Sequence, residues 1–169
     1  MNYIYTLVLR LIGSILIVIY GPQIIFKLLY LPTFYLSYFL LIPYGDMVFG
    51  NFIYVADKKL EFVSACIATS AYILLSLLIL LTKDIDFYKI IKIFLMGSFI
   101  LFSVNIIRIY MLAVVLIKFD IILFNSLHLF FWQVFSTLFV LLLWIFLINF
   151  YNINTIPVYS DLKYLFKKL

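Results

Sequence analysis

Residues 121–150 read IILFNSLHLFFWQVFSTLFVLLLWIFLINF, a run of 30 positions without Asp, Glu, Lys or Arg. An uncharged apolar run of more than about 18 residues is typical of a transmembrane helix, because about 20 helical residues cross the hydrocarbon core of a bilayer. The run does not alternate apolar and polar residues, which favours helices over membrane-spanning strands. This stretch therefore indicates a helical membrane protein.

The composition of the whole chain supports the same class. Of its 169 residues, 68% are hydrophobic and 11% are charged, and the mean hydropathy is +1.27. Soluble domains have about 45–50% apolar and about 25% charged residues, so a soluble globular protein is excluded. We predict an all-α integral membrane protein with a single transmembrane domain over residues 1–169.

Four further apolar stretches precede residues 121–150 and give a bundle of about five transmembrane helices. The first lacks a small-residue cleavage site, which favours a retained span over a signal peptide. The second is short and contains Pro32. Residues 43–63 carry five charged side chains and are too polar to cross. The predicted spans are 4–20, 28–42, 64–81, 93–117 and 121–150.

The distribution of basic residues predicts the orientation, because Lys and Arg accumulate on the cytoplasmic side. With residues 83–92 inside, seven lysines are cytoplasmic and three are exterior. These are Lys27, Lys83, Lys89, Lys92, Lys163, Lys167 and Lys168 against Lys58, Lys59 and Lys118. We expect a multi-pass plasma-membrane protein with an exterior segment 43–63, a cytoplasmic tail 151–169 and an exterior N-terminus.

The sequence also argues against several classes of site. Cys66 is the single cysteine, so an internal disulfide and a cysteine-rich zinc site are excluded. The net charge of +5 comes from basic residues scattered between apolar runs, which argues against nucleic-acid binding. No glycine-rich phosphate loop, His-x-x-x-His pair or carboxylate pair lies inside a span, so we expect no metal, nucleotide or other cofactor.

Three reactive side chains fall at a similar predicted depth. At about 1.5 Å per residue, Cys66 lies about 24 Å from the inner end of its span, in a core about 30 Å thick. Arg108 lies about 22 Å from the inner end of the next span. His128 follows a short exterior turn by a few residues. All three are expected in the outer third of the membrane, where buried polar groups are costly and commonly functional.

Such a layer suits nucleophilic catalysis. A thiol attacks a carbonyl as the thiolate, which makes Cys66 the candidate nucleophile. Arg108 is able to stabilise the thiolate or a developing oxyanion, and His128 is the candidate general acid and base. Asn105 shares a helix face with Arg108 and is an auxiliary candidate, either to orient the guanidinium or to donate to the oxyanion.

Each of these residues also has a simpler interpretation. A membrane cysteine is commonly a small packing residue, an arginine near the interface extends to the headgroups, and a histidine beside aromatic residues anchors a helix end. The alternative function is a non-enzymatic membrane subunit or small transporter in which Arg108, Asn105 and His128 line a polar pathway. Only the enzyme requires the Cys66 thiol.

The order of these residues resembles the exosortase and archaeosortase family of membrane cysteine transpeptidases. The shared pattern is a cysteine at the start of one span, Asn-x-x-Arg at 105–108 in the next, and a histidine at the start of the following one. The run FIYV at 52–55, about a dozen residues before the cysteine, is similar to the segment that precedes the family cysteine. The resemblance covers about residues 50–150 and is greatest to the compact, archaeosortase-like members.

The resemblance implies that the protein cuts C-terminal sorting tails of exported surface proteins at the exterior face of the membrane. Cys66 would form a thioester, Arg108 would stabilise the anionic intermediate and His128 would transfer protons. The acyl group would pass to a membrane-lipid amine or to water, and residues 43–63 would form an exterior lid. The family cysteine is usually followed by Ser-Gly or a similar small pair, whereas residues 66–69 read CIAT here.

Overall fold

The computed structural model describes residues 3–45, 47–55, 58–83 and 85–153, and these are mostly helical. Most of the predicted cytoplasmic tail, from residue 154 onward, therefore lies outside the described residues. In chain order the elements are α1 (Tyr3–Leu41), a 3₁₀ turn (Ile42–Tyr44), β1 (Met47–Phe49), β2 (Phe52–Val55), β3 (Lys58–Glu61), α2 (Ser64–Ile67), α3 (Thr69–Leu81), α4 (Phe87–Lys118), α5 (Ile121–Phe130), a π-helical turn (Phe131–Phe135) and α6 (Ser136–Phe150).

Among the described residues, three helical segments are long and apolar enough to cross a membrane: Tyr5–Tyr44, which covers most of α1 and its 3₁₀ turn, then α4, and the continuous segment from α5 to α6. These segments contain 40, 32 and 30 residues, which is about 45–60 Å of helix at about 1.5 Å per residue. α3 is shorter, with 13 residues, and packs against α1, α4 and α6. The predicted helical class and the count of about five helices agree with this architecture.

The N-terminal third of the chain forms one helix in place of the two predicted spans. Spans 4–20 and 28–42 are wrong as separate elements, because α1 is one continuous helix of 39 residues with Pro22 and Pro32 inside it. A glycine followed by a proline, as at residues 21–22, commonly ends a helix. Here the packing of α1 against α3 and α4 compensates for the backbone hydrogen bonds that the prolines remove.

Two glycines show how α1 runs along α3. A Cβ atom at Gly13 would lie 3.1 Å from the Leu80 side chain, and one at Gly21 would lie 3.6 Å from the Ile73 side chain. The residue numbers increase along α1 as they decrease along α3, so the two helices are antiparallel. The start of α1 therefore lies at the same end of the bundle as the 82–86 connection, and the prediction that it lies at the opposite end is wrong.

After this correction, more basic residues still lie at the 82–86 end of the bundle than at the opposite end. Arg10 joins the lysines near the 82–86 connection, whereas Lys27 moves from a predicted loop into the middle of α1. Among the described residues the numbers are four, Arg10, Lys83, Lys89 and Lys92, against three, Lys58, Lys59 and Lys118, and the three predicted tail lysines lie outside the described residues. Which end faces the cytoplasm stays a prediction.

The polar segment 43–63 contains a three-stranded antiparallel sheet with strand order β1-β2-β3. Gly50, in the turn between β1 and β2, has φ 59, a left-handed conformation that glycine adopts without strain. Ile53 and Val55 of β2 are buried in a core shared with α1 and α4. The sheet therefore packs on one end of these two helices.

Polar contacts tie the sheet to both helices. The Nζ atom of Lys58 donates to the carbonyl oxygens of Leu116 and Phe119, the latter at 3.1 Å, and so satisfies carbonyls at the C-terminal end of α4. On the other side, the Tyr30 hydroxyl of α1 donates to Asn51 Oδ1 at 2.9 Å. These contacts set the position of β3 relative to the helices.

A second core joins α3, α4 and α6 at Gly97. A Cβ atom at Gly97 would lie 2.7 Å from Leu75 Cδ2 and 3.0 Å from Leu147 Cδ1. Real Cβ atoms essentially never approach within 3.0 Å of a neighbour, so any larger residue at this crossing would force the buried leucine side chains to shift. The predicted span 93–117 lies within α4, which extends it at both ends.

The predicted span 121–150 coincides with one continuous helical segment, but its hydrogen bonding changes at 131–135. The Ser136 hydroxyl donates to the Phe131 carbonyl, five residues earlier, at 2.6 Å. A π-helical turn contains one residue more than an α-helical turn and is frequent at functional sites. It lies between His128 and the packed part of α6.

Candidate active site

The third predicted span, 64–81, is divided at Ala68. This residue has φ 57 and ψ 37, so α2 ends and α3 begins there. In a continuous helix, the carbonyls of Ala65 and Cys66 would accept hydrogen bonds from amides four residues later. The break removes those donors. The Ala65 carbonyl still accepts from the Ala68 amide at 3.4 Å, and both carbonyls are able to accept from side-chain partners.

Two side chains of α4 supply these partners. Asn105 Nδ2 donates to the Cys66 carbonyl at 2.8 Å. Arg108 Nη2 donates to the Ala65 carbonyl at 2.8 Å and to the Cys66 carbonyl at 3.5 Å. Asn105 and Arg108 are buried, with 5% and 4% of their surfaces exposed. α4 therefore fixes the backbone of the short segment that bears the thiol.

The conformation of Ala68 also bears on the resemblance noted in the sequence. In the family that the sequence resembles, the cysteine is usually followed by Ser-Gly or a similar small pair, and Ala68 stands at the second of these positions. A left-handed φ is the conformation that glycine adopts most readily and that alanine adopts at a cost. The backbone at residue 68 is thus glycine-like, although the residue is alanine.

Cys66 lies in α2, close to the end of the sheet. Its thiol is free and half-buried. The Sγ atom is 3.8 Å from the Glu61 carbonyl oxygen, to which it donates. Arg108 Nη2 is 3.5 Å from the carbonyl oxygen of Cys66 itself, and both residues line the same cavity.

A cavity of about 290 Å³ opens beside the thiol and is lined by Cys66, Arg108 and His128. The three side chains come from α2, α4 and α5, so they converge although they are far apart in sequence. Two residues of β3, Lys59 and Glu61, also line the cavity. The predicted layer of three reactive groups is therefore a single pocket in the fold.

Arg108 has hydrogen-bonding capacity that the fold does not use. Its Nε atom is buried and has no hydrogen-bond partner, and the same is true of Asn105 Oδ1. The positive charge of Arg108 interacts electrostatically with both the Cys66 thiol and the His128 imidazole. Arg108 therefore combines a structural contact, through Nη2, with a charge directed at the reactive groups.

His128 is half-buried and stacks on Phe124, one turn earlier on α5, with ring centroids 5.8 Å apart and planes inclined by 10°. Within the described part of the chain, no hydrogen bond joins His128 to Cys66. The two side chains line the same cavity without a hydrogen bond between them. Catalytic hydrogen bonds are commonly long before substrate binds, so the lack of one here does not argue against proton transfer.

The residues of β3 were not among the predicted site residues. The sequence identified 43–63 as an exterior segment and as a lid, but not which of its side chains reach the thiol. Lys59 also lies 3.6 Å from the centre of the Phe52 ring. The apolar and aromatic run at 52–55 is typical of a strand. Pairing of 58–61 with this strand in a hairpin would have placed 58–61 over the cavity.

The described residues contain no group of three His, Cys, Asp or Glu side chains that is able to hold a metal ion. Comparison of the whole chain with protein-family models, with curated proteins and with solved structures gave no match. The function is therefore argued from the geometry of the site.

Proposed function

We propose that this protein is a multi-pass plasma-membrane cysteine transpeptidase of the exosortase and archaeosortase type. It would cleave C-terminal sorting tails of exported surface proteins at the exterior face and transfer them to a membrane-lipid amine. The observation that carries the proposal is the shared cavity of Cys66, Arg108 and His128. The three long apolar helices support insertion into a membrane.

The proposed reaction begins at the thiol. His128 takes the proton of Cys66, and Sγ attacks the carbonyl carbon of the scissile amide to give a tetrahedral intermediate. The Arg108 guanidinium stabilises the negative charge on the carbonyl oxygen. The carbon–nitrogen bond then breaks, His128 returns the proton to the leaving amine, and the acyl group remains on Sγ as a thioester.

The second half of the reaction releases the enzyme. An unprotonated lipid amine attacks the thioester carbon and loses a proton to His128, and an amide forms as the carbon–sulfur bond breaks. The thiolate then recovers a proton from His128. Water in place of the amine gives hydrolysis by the same route. A substrate whose tail is itself a membrane helix would reach the cavity laterally, beside α4 and α5.

In this proposal the sheet would act as the exterior lid over the reaction. β3 contributes to the wall of the cavity, and Lys58 joins it to the end of α4. Exclusion of water by such a cover would favour the lipid amine over hydrolysis.

The direct test is to trap the acyl-enzyme. Full-length protein in lipid vesicles is incubated with a sorting-tail peptide that carries the exterior motif, and the mass of Cys66 is measured after rapid acid quenching. We expect a thioester in the wild type and none in Cys66→Ala or His128→Gln, because His128 takes the thiol proton before Sγ attacks. A Cys66→Ala protein that processes the tail as the wild type does would refute the proposal.

The alternative of a non-enzymatic subunit or small transporter is favoured by one observation. Asn105 and Arg108 already bond to backbone carbonyls, which is sufficient to explain why they are buried in α4. In that case Cys66→Ala would leave function intact and Arg108→Leu would abolish it. The conservative variant Arg108→Lys distinguishes the enzyme from the non-enzymatic alternative. It keeps the positive charge, but it loses the forked geometry with which Arg108 would contact a carbonyl and an oxyanion together.

A further inference from the structure

Lys27 is the one charged residue of α1 between Arg10 and the end of the helix at Leu41. It lies 17 positions beyond Arg10, or about 25 Å at about 1.5 Å per residue. Because Arg10 is near the 82–86 end, Lys27 reaches the same level as the thiol segment. The side chain is exposed and, among the described residues, no carboxylate pairs with it.

A groove of about 360 Å³ beside Lys27 is separate from the cavity of the thiol. Its lining comprises Pro22, Gln23, Phe26, Lys27 and Thr69, none of which lines the other cavity. The ammonium, the amide and the hydroxyl provide hydrogen-bond donors from two helices. Phe26 and Pro22 provide an apolar wall.

The N-terminal end of α3 adds to this positive environment. α3 begins at Thr69, and no side chain caps its first amides. The start of a 13-residue helix carries a partial positive charge that favours anions. This contribution is secondary to the Lys27 ammonium, which is the full charge at the groove.

We propose that this groove binds the phosphate group of an outer-leaflet phospholipid. An ammonium at this depth is costly unless it meets an anion, and a phosphate offers acceptors to Lys27, Gln23 and Thr69 together. Ile24 and Leu28, next to the groove on α1, are 62% and 71% exposed. Since apolar side chains flank the opening, a lipid fits it better than a soluble anion does. The inference rests on the membrane insertion in the proposed function and not on its chemistry.

The test measures lipid binding directly. Full-length protein in neutral detergent is titrated with phosphatidylglycerol and, separately, with a diacylglycerol of the same acyl chains, and bound lipid is counted by native mass spectrometry. Lys27→Gln is expected to weaken phosphatidylglycerol binding about tenfold. Lys27→Arg should retain binding, and Lys89→Gln, which removes an exposed lysine at the other end of the bundle, should not change it.

Three results would overturn the proposal: equal affinity of Lys27→Gln and wild type, equal binding of the diacylglycerol, or displacement of the lipid by inorganic phosphate at an equal concentration. The last would assign the groove to a soluble anion. Cys66→Ala should bind phosphatidylglycerol as the wild type does, so failure of the transpeptidase proposal and failure of this one give different results.

Discussion

Replacement of Ala68 by glycine tests whether the break between α2 and α3 is a strained, left-handed position. Alanine in this conformation is disfavoured by about 1–2 kcal/mol, and glycine is not. Glycine also loses one buried methyl group, worth about 0.8 kcal/mol, and adds unfolded-state entropy worth about 0.5–1 kcal/mol. We therefore expect Ala68→Gly to remain within about 1 kcal/mol of the wild type.

The matched control is Ala71→Gly, one turn into α3. Ala68 and Ala71 have 9% and 5% of their surfaces exposed, so each substitution removes a buried methyl group. At Ala71, a helical position, the glycine substitution brings no relief of strain and should cost about 2 kcal/mol. The difference between the two variants, about 1–2 kcal/mol, isolates the strain at residue 68.

The assay is unfolding of the purified protein by denaturing detergent in mixed micelles, followed by tryptophan fluorescence. Ala68→Gly and Ala71→Gly are measured side by side with the wild type. Equal destabilisation by the two substitutions would show that residue 68 is not strained. The assignment of a left-handed break that deprives the Ala65 and Cys66 carbonyls of their helical donors would then be wrong.

Three further predictions concern packing and the attachment of the sheet. Gly97→Ala should destabilise the protein by about 1–3 kcal/mol in the same unfolding assay, because its Cβ would overlap leucine side chains of α3 and α6; wild-type stability would contradict the close crossing. Asn105→Leu should cost about 1–3 kcal/mol, since it removes the closer donor to the Cys66 carbonyl and leaves only the longer contact from Arg108, and a variant as stable as the wild type would show that the contact is dispensable. Lys58→Met should increase proteolytic cleavage within 43–63 while the helices stay protected; an unchanged digestion pattern would mean that Lys58 does not hold the sheet.

The long helices could be predicted from the sequence because the property that defines them is local. A run such as 121–150 has no charged residue, and a backbone in lipid has to satisfy its own hydrogen bonds. The wrong division of residues 4–42 into two spans has a non-local cause. Pro22 is a local signal for a helix end, but the continuity of α1 depends on its packing along α3, which no local pattern contains.

The site was predictable in outline for a similar reason. The rise per residue of a helix is constant, so counting residues predicted that Cys66, Arg108 and His128 lie at a similar level, and the three line one cavity. The backbone between Cys66 and α3 was not predictable, because alanine rarely adopts a left-handed conformation and its presence at residue 68 gives no signal. The strand β3 escaped prediction because its position over the cavity depends on tertiary pairing.

The π-helical turn at 131–135 affects the direction in which the His128 side chain points. Each added residue advances the direction of side chains by about 100° around a helix, so one surplus residue turns everything before it through about a quarter of a revolution relative to α6. The direction of the His128 side chain relative to α6 therefore depends on the number of residues in the π-helical turn at 131–135. Forcing all five residues of 131–135 into α-helical geometry would swing the imidazole away from the pocket, whereas deleting one of them would let the turn close as an α-helix and leave the direction of His128 nearly unchanged.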